Sequence, residues 1–254
     1  MNTIEKQSQA RPKARPSNNL LRLLSQKDFD LIAPYLEVVT VATNETIYGP
    51  GDDVEFVHFP CGPSLASYLV SNEDGRDVEI ILVGREGAVG SVTGRARLHA
   101  YSYVVVRSGG QFVRLHISKL KAVIARSPAL SNIFGSYAEC LLGQVLQSAA
   151  CNAVHSIEQR TAKWIISALE RSSADLVPLS HKQLAAVLGV GRSYTSRVIQ
   201  VFKAEGMLET RRGSMRVHDR AALEAKACLC NNAVKAHFEE LLPGVYPTQE
   251  AMIS

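Results

Sequence analysis

The stretch 180–219 limits the possible folds most strongly, because its pattern is that of two short helices followed by a hairpin. Ser180 and Gln183 have the Ser-x-x-Gln spacing of a capping box, which predicts the start of the first helix. Gly189 supplies a sharp turn into the second helix. The residues that we expect to face a shared core are Leu184, Ala185, Leu188, Val190, Val198, Val201 and Phe202.

The opposite face of the second helix is polar throughout. Its residues are spaced i, i+1, i+4, i+5 and i+8, so they project together. Arginine pairs bidentately with guanine and glutamine with adenine in the major groove, which makes this face a candidate for contacting base edges. A charged outer face is also the default for an amphipathic helix, so a simply solvated face is the alternative. The five residues are Arg192, Ser193, Ser196, Arg197 and Gln200.

A basic hairpin follows the second helix. Alternating apolar and polar residues around a turn at Arg212 and Gly213 predict two short strands over 207–218. Arg211, Arg212 and Arg216 place positive charge there, which suits contact with DNA phosphates. We expect no carboxylate beside these arginines at the turn. They could alternatively serve only to keep the protein soluble.

Charge is distributed unevenly along the chain. The formal net charge is only +4, but basic residues dominate in 1–16 and 156–220, whereas 17–155 and 221–254 are slightly acidic. This asymmetry is expected of a polyanion-binding domain joined to a domain that does not bind DNA. The length of 254 residues suits two domains of ordinary size or one large domain.

The sequence predicts a cytoplasmic protein without membrane contact. No apolar run approaches the roughly 18 residues needed to span a bilayer, and the polar segment 1–19 lacks the apolar block of a signal peptide. Five cysteines without a Cys-x-x-Cys spacing argue against a disulfide framework or a structural zinc site. We therefore expect no metal site and no cofactor, with Cys228 and Cys230 as ordinary helix residues.

The first half of the chain has the pattern of a β domain. A short helical segment begins at Leu20, and Pro34 marks the change to strands. Short apolar runs then alternate with glycine-rich turns, which is typical of a sandwich or barrel. The predicted strands include 46–48, 54–59, 65–70, 78–83, 101–106 and 111–115.

A long helix is predicted over 128–155, where the period becomes helical and no proline follows Pro128. Its length would be about 40 Å. Apolar residues form two stripes, so the helix needs two partners to pack against. The first stripe is Leu130, Phe134, Tyr137, Leu141 and Ser148, and the second is Ile133, Leu142, Val145, Leu146, Ala149 and Ala153.

We assign the first stripe to the β domain and the second to the same helix of another subunit. Small residues would let two such helices approach closely. The alternative is a core helix of a monomer, although the length is far above that of a typical globular helix. The small residues are Gly135, Gly143, Ser148, Ala149 and Ala150.

Helices are also predicted on both sides of the helix-turn-helix. Ser156 and Gln159 form a second capping box for a helix over 156–171, in which Trp164 is expected to be a core residue of the DNA-binding domain. A terminal helix is expected over 220–242.

The order of a β-rich domain, a long helix and a winged helix-turn-helix resembles the Crp/Fnr family of bacterial transcription regulators. The resemblance covers about 20–220 and is strongest in 179–219, with weaker likeness in 47–52 (IYGPGD) and 74–82 (DGRDVEIIL). It implies an α+β fold with an N-terminal, double-stranded jelly-roll-like β-roll. Within the likeness, the implied parts are a cyclic-nucleotide-binding-like sensor domain (19–125), a dimerisation helix (126–155) and a winged helix-turn-helix domain (156–220). Outside it, the composition predicts a disordered basic tail (1–18) and a C-terminal helix with a tail (221–254).

The resemblance also assigns roles in DNA contact. In the family, an Arg-Glu pair and a later arginine contact bases; the matching residues here are Arg192, Ser193 and Arg197. Because serine replaces the glutamate, an acceptor for cytosine is lost and the operator should differ. Thr195 occupies a position that is usually apolar. The further candidate contacts are Tyr194, Ser196, Gln200, Arg211 and Arg212, with Ser180, His181 and Lys182 before the first helix.

The effector segment departs from the family pattern. Cyclic-nucleotide binders have Gly-Glu-Leu-Gly where this chain has Gly-Ala-Val-Gly at 87–90, so no carboxylate is present to hold a ribose. Arg95 and Arg97 are candidates for contacting an anionic effector of unknown identity. The chain has no cysteine before Cys61, unlike the iron-sulfur branch of the family. Two cysteines of the long helix, Cys140 and Cys151, are expected to be inert, with oxidation as the alternative.

The sequence thus predicts a homodimeric regulator that binds double-stranded DNA at an inverted repeat, with RNA polymerase as a further partner. The alternative is an effector-binding module of the same fold that acts through protein contacts without specific DNA binding. We do not expect an enzyme, since no catalytic motif is found: a nucleophile elbow, a phosphate-binding Gly-Lys motif and metal-ligand spacing are all missing from the sequence.

Overall fold

A computed structural model describes residues 11–12, 14–73, 77–93, 99–172, 176–177, 179–211 and 213–246. The described chain begins to pack before the first helix. The Arg15 guanidinium lies 4.6 Å from the ring centre of Phe29, and the Asn18 side chain donates to the carbonyls of Pro60 and Gly87. The prediction of disorder over 1–18 is therefore wrong for 15–18, because these residues have partners in the β domain.

Seven strands of the described chain form two antiparallel sheets, with strand orders β1-β7-β3 and β2-β6-β4-β5. Two short helices and a 3₁₀ turn precede them, and the buried side chains between the sheets form the main core. The α+β fold with an N-terminal β-roll and all six predicted strands are confirmed. The elements are α1 (Asn19–Arg22), α2 (Gln26–Ile32), β1 (Leu36–Val41), β2 (Thr46–Tyr48), β3 (Phe56–Pro60), β4 (Leu65–Ser71), β5 (Asp77–Val83), β6 (Tyr103–Ser108) and β7 (Gly110–His116).

Three helices connect the β domain to the C-terminal part: α3 (Ile117–Ile124), α4 (Pro128–Val154) and α5 (Ile157–Ser172). The predicted long helix is confirmed as α4. The Ser127 hydroxyl caps its first turn, and the helix ends at Val154 with His155 as its C-cap. As expected, its first stripe packs on the β domain, with Leu130 and Phe134 fully buried.

Polar side chains of α4 also contact the edge strand β5. Gln144 Nε2 donates to the Leu82 carbonyl at 3.1 Å, and Ser148 Oγ donates to the Ile80 carbonyl at 2.8 Å. The two donors are one helical turn apart and the two acceptors are two residues apart on the strand. One turn of the helix is about as long as two residues of the strand, so successive turns of α4 meet successive outward carbonyls of β5. Ser148 thus serves the β domain and does not provide close approach of a second subunit.

The C-terminal part contains a three-stranded sheet of order β8-β10-β9 and four helices among the described residues. The winged helix-turn-helix is confirmed, and the short strand β8 was not predicted. The elements are β8 (Leu176–Val177), α6 (His181–Leu188), α7 (Arg192–Ala204), β9 (Leu208–Arg211), β10 (Ser214–Val217), α8 (Arg220–Lys226) and α9 (Cys230–Leu241).

The prediction of one terminal helix over 220–242 is wrong, because the chain leaves the helical conformation at 227–229. After this break α9 packs along α4. A Cβ at Gly143 would lie 2.7 Å from His237 Cδ2. The small residue at 143 therefore allows close approach of α9 of the same chain, which corrects the expectation that it faces a second subunit.

A buried ion pair and a buried hydrogen bond join α5 to the β domain. Arg171 Nε donates to Glu86 Oε1 at 2.9 Å, and both side chains are almost inaccessible. Trp164 is buried as predicted, and it lies at the boundary between the domains: its indole N–H donates to Glu79. None of the helices in the described ranges combines the length and the apolar character that a bilayer crossing requires.

Candidate DNA-binding interface

The helix-turn-helix is held together as its sequence predicts. Ser180 and Gln183 form the capping box, and Gly189 ends α6 with φ of 67°, in the left-handed region. Most predicted core residues are buried. Val201 is an exception: its side chain is 43% exposed, and fully buried Ile199 takes the inward place. The inward stripe runs through 195, 198, 199 and 202, so position 201 falls beyond its edge.

The polar face of α7 is open to solvent. Arg192, Ser193, Arg197 and Gln200 are exposed, and Ser196 lies 3.3 Å from His181 Nδ1. Within the described part of the chain, no carboxylate oxygen lies within 4.0 Å of either arginine. The two positive charges are therefore free to meet an anionic partner.

Tyr194 extends the same surface. Its side chain is 43% exposed, and the Arg197 guanidinium lies 5.2 Å from its ring centre. A cation at this distance from an aromatic ring is attracted by the ring quadrupole. The contact orients Arg197 without using its N–H donors, which remain available to a base or phosphate.

Thr195 is fully buried beneath this face, and its hydroxyl has no hydrogen-bond partner among the described residues. A hydroxyl at this position thus costs stability that an apolar residue would not. This agrees with the expectation that the position suits an apolar side chain.

The residues before α6 differ in availability. Lys182 is exposed. Partial burial and the charges of Lys203 and Arg192 lower the pKa of His181, so its imidazole is neutral at pH 7. The Ser180 hydroxyl already accepts from the Gln183 N–H and donates to Gln183 Oε1. Ser180 therefore contributes to the helix cap more directly than to a phosphate contact.

The wing contains an ion-pair cluster that the sequence analysis missed. Glu209 contacts Arg211 at 2.8 Å, His218 at 3.4 Å and Arg216 at 4.0 Å. The expectation that no carboxylate accompanies these arginines is wrong, because the strand register places Glu209 opposite Arg216 and alternation puts Arg211 on the same face. Arg212 lies outside the described residues.

The segment at 87–90 is closed by tyrosines. The Tyr137 hydroxyl donates to the Ala88 carbonyl and accepts from the Ala88 N–H, both at 2.8 Å. The Tyr68 hydroxyl accepts from the Gly90 N–H at 2.9 Å. A Cβ at Gly87 would clash with Tyr137. These backbone groups therefore already have partners within the chain. The candidate effector residues Arg95 and Arg97 lie outside the described residues.

The cysteines expected to be ordinary helix residues are placed differently. Cys228 lies in the connection between α8 and α9, and Cys230 begins α9. Both are buried beside Cys151. Chain spacing alone could not reveal this, because Cys151 is far away in the sequence.

Comparisons with known proteins agree with this arrangement. Residues 159–226 match the Crp-like helix-turn-helix domain. Among curated proteins, none has a significantly similar sequence.

Solved structures share the overall fold at low sequence identity. FixK2 from Bradyrhizobium japonicum superposes with a TM-score of 0.65 and 15% identity, covering 76% of this chain and 98% of its own. The c-di-GMP responsive global regulator CLP from Xanthomonas campestris has a TM-score of 0.62 and 15% identity over 76% and 99% of the two chains. TTHB099, a transcriptional regulator of the CRP family from Thermus thermophilus, has a TM-score of 0.62 and 19% identity over 74% and 95%.

The resemblance to Crp/Fnr regulators inferred from the sequence is thereby confirmed in its fold and in its helix-turn-helix. The protein carries a Crp-like helix-turn-helix domain within the overall fold of Crp/Fnr transcription regulators.

Proposed function

We propose that the protein is a homodimeric transcription regulator that binds a specific inverted-repeat sequence in double-stranded DNA. The observation that carries this proposal is the exposed polar face of α7, on which Arg192 and Arg197 have no acidic neighbour among the described residues. Unpaired guanidinium groups on one helix face suit both base edges and phosphates. Arg212, although outside the described residues, belongs to the proposed wing contact.

The second apolar stripe of α4 supports a dimer. Leu142 is 52% exposed and Leu146 is 63% exposed, one helical turn apart. Ala149 and Ala153 continue this exposed line, whereas Ile133 and Val145 are partly covered. Large apolar side chains in a continuous line on a 27-residue helix favour a partner helix. A second α4 would cover both leucines.

A two-fold dimer would present two α7 helices to the same side of the DNA. Symmetric helix-turn-helix dimers bind half-sites about one helical turn apart, which predicts an inverted repeat. Serine at 193 provides no carboxylate to accept a hydrogen bond from cytosine, so we expect an operator that differs from those of members with glutamate.

We infer that no cyclic nucleotide binds at 87–90. The segment has no acidic side chain, and Tyr137 and Tyr68 occupy backbone groups that a ligand would need. An effector of another kind would act by shifting the orientation of the two DNA-binding heads. Contact with RNA polymerase and a cytoplasmic location follow from the proposed role.

Selection of bound duplexes from a random pool tests the proposal. We expect enrichment of one inverted repeat, with affinity that falls steeply as salt rises. Enrichment of a single half-site would contradict the dimer. If no sequence is enriched while the chain remains folded, the fold serves protein contacts and not specific DNA binding.

A further inference from the structure

Three cysteines and one histidine meet near the junction between α4 and α5. One ligand atom from each of Cys151, His155, Cys228 and Cys230 lies within 4.8 Å of the others. Cys151 Sγ is 3.7 Å from Cys228 Sγ, and Cys230 Sγ is 3.5 Å from His155 Nδ1. The three cysteines are buried and His155 is partly buried.

The fold brings these residues together from two distant segments. Cys151 lies in the last turn of α4, and His155 is the C-cap whose backbone N–H donates to the Cys151 carbonyl, so the two residues are adjacent at the end of the helix. The break between α8 and α9 turns Cys228 inward and places Cys230 at the start of α9, which packs on α4. Each segment supplies a pair of ligands, and neither pair suggests a metal site by itself.

Two of the six separations between the ligand atoms match the edges of a tetrahedral zinc site, and all six are at most 4.8 Å. With Zn–S bonds of about 2.3 Å and Zn–N bonds of about 2.0–2.1 Å, the edges of a tetrahedron are about 3.8 Å between sulfurs and about 3.6 Å between sulfur and nitrogen. The observed separations are 3.7 Å and 3.5 Å. We propose that Cys151, His155, Cys228 and Cys230 bind one zinc ion as a closed Cys₃His site. Binding would release three thiol protons to solvent and leave the histidine neutral.

Neighbouring side chains are suited to support this site. Gln147 Nε2 donates to Cys230 Sγ at 3.2 Å, and Lys163 Nζ lies 3.5 Å from Cys151 Sγ. Donors to coordinated sulfurs are typical outer partners of a metal site and orient the ligands. Three thiolates and Zn²⁺ together carry one negative charge, which the Lys163 ammonium offsets.

Other uses of the four residues fit the geometry less well. A disulfide would join two sulfurs and leave the third cysteine and His155 without a role, and its sulfurs would have to approach to about 2.05 Å. An iron-sulfur cluster distributes its four protein ligands over two or four irons, so ligands on different irons stand farther apart than the 4.8 Å that contains all four atoms here. Soft thiolates and a tetrahedral arrangement favour zinc among the common divalent ions.

The ion would cross-link the end of α4 to the α8–α9 connection. Only His155 and Ser156 separate α4 from α5. A bond from His155 to the segment that follows the wing would therefore fix the junction between the long helix and the DNA-binding domain. The site would act as a structural clamp, since all four positions are filled by protein ligands.

Metal content of the reduced, full-length protein tests the proposal directly. We expect one zinc ion per chain after dialysis without chelator, with a Kd tighter than about 10 nM. Replacement by Co²⁺ should give thiolate-to-cobalt charge transfer and the intense visible bands of a tetrahedral ion. Much less than one zinc per chain, or a six-coordinate Co²⁺ spectrum, would overturn the proposal. So would a Cys151–Cys228 disulfide in protein prepared under reducing conditions.

Matched variants locate the site. Cys228→Ala and His155→Gln should each weaken zinc affinity by more than about 100-fold, and Gln147→Leu should weaken it about 10- to 100-fold. Cys61→Ala removes a buried cysteine elsewhere and should keep one zinc per chain. Equal zinc loss in Cys61→Ala and Cys228→Ala would refute the assignment. If Cys228→Ala fails to fold, the number of zinc ions per unmodified chain and the Co²⁺ spectrum of that chain still test the proposal.

Discussion

The indole N–H of Trp164 donates to Glu79 Oε1 at 2.5 Å, linking α5 to strand β5. The other oxygen of the same carboxylate accepts from Arg107 Nε at 3.1 Å, and both charged side chains are almost fully buried. One carboxylate thus connects α5 with two strands of the β domain.

Removing the Glu79 carboxylate should lower the free energy of unfolding. Glu79→Ala leaves Arg107 buried without its charge partner, so we expect a loss of about 3–5 kcal/mol in the free energy of unfolding, measured by urea denaturation. The control is Glu209→Ala in the exposed wing, where ion pairs contribute about 0–1 kcal/mol. Similar losses in the two variants would show that the buried pair contributes no more to stability than an exposed one.

Substitutions on the polar face of α7 should change which DNA sequence is bound, whereas substitution of Lys182 should change the affinity for every sequence. Arg192→Ala and Arg197→Ala should each cost about 1–3 kcal/mol on the selected operator and relax base preference. Lys182→Ala should weaken operator and scrambled duplexes alike, because phosphate contacts carry no sequence information. Titrations with both duplexes at one fixed salt concentration measure this. A uniform loss in all three variants would argue against base contacts by α7.

The exposed stripe of α4 should hold the dimer. Leu146→Glu introduces a charge at a 63% exposed position, so the folded chain should persist while sedimentation shifts from dimer to monomer. Leu229→Glu alters a 75% exposed leucine outside α4 and should leave the dimer intact. A dimeric Leu146→Glu variant would place the interface elsewhere.

His58 should make stability fall in acid. Burial, together with the charge of Arg114, lowers its pKa from 6.5 to about 3, and both ring nitrogens lack partners among the described residues. The unfolded chain therefore binds a proton between these pH values that the folded chain does not, and stability decreases as pH falls from about 6.5 towards 3, by at most about 1.4 kcal/mol per pH unit.

Unfolding measured across this range checks the effect. His58→Leu should flatten the slope and also spare the cost of burying an unpaired polar ring. The same change at exposed His99, whose ring contacts Asp53 at the surface, is the matched control for loss of a histidine. An unchanged slope in His58→Leu would mean that other groups cause the acid sensitivity.

Local patterns predicted much of the fold because they depend on neighbouring residues. The capping box at Ser180, the turn at Gly189 and the strand runs needed no knowledge of distant contacts. The failures occurred where separate segments meet. Glu209 lies opposite Arg216 through the pairing of β9 with β10, and Gly143 accommodates α9. The sequence pattern of one segment cannot reveal either contact. The cluster of Cys151 with Cys228 likewise depends on α9 packing against α4. Residue spacing within one segment therefore fails to predict the role of a residue whose contacts come from a distant part of the chain.

The bonds from Gln144 and Ser148 to strand β5 have a further consequence. An edge strand with open carbonyls is a template on which another chain can add a strand. In this protein α4 occupies two of those carbonyls, so the helix shields the β domain from self-assembly. A fragment that stops before Pro128 would lose this cover, and its β5 edge would become a starting point for aggregation.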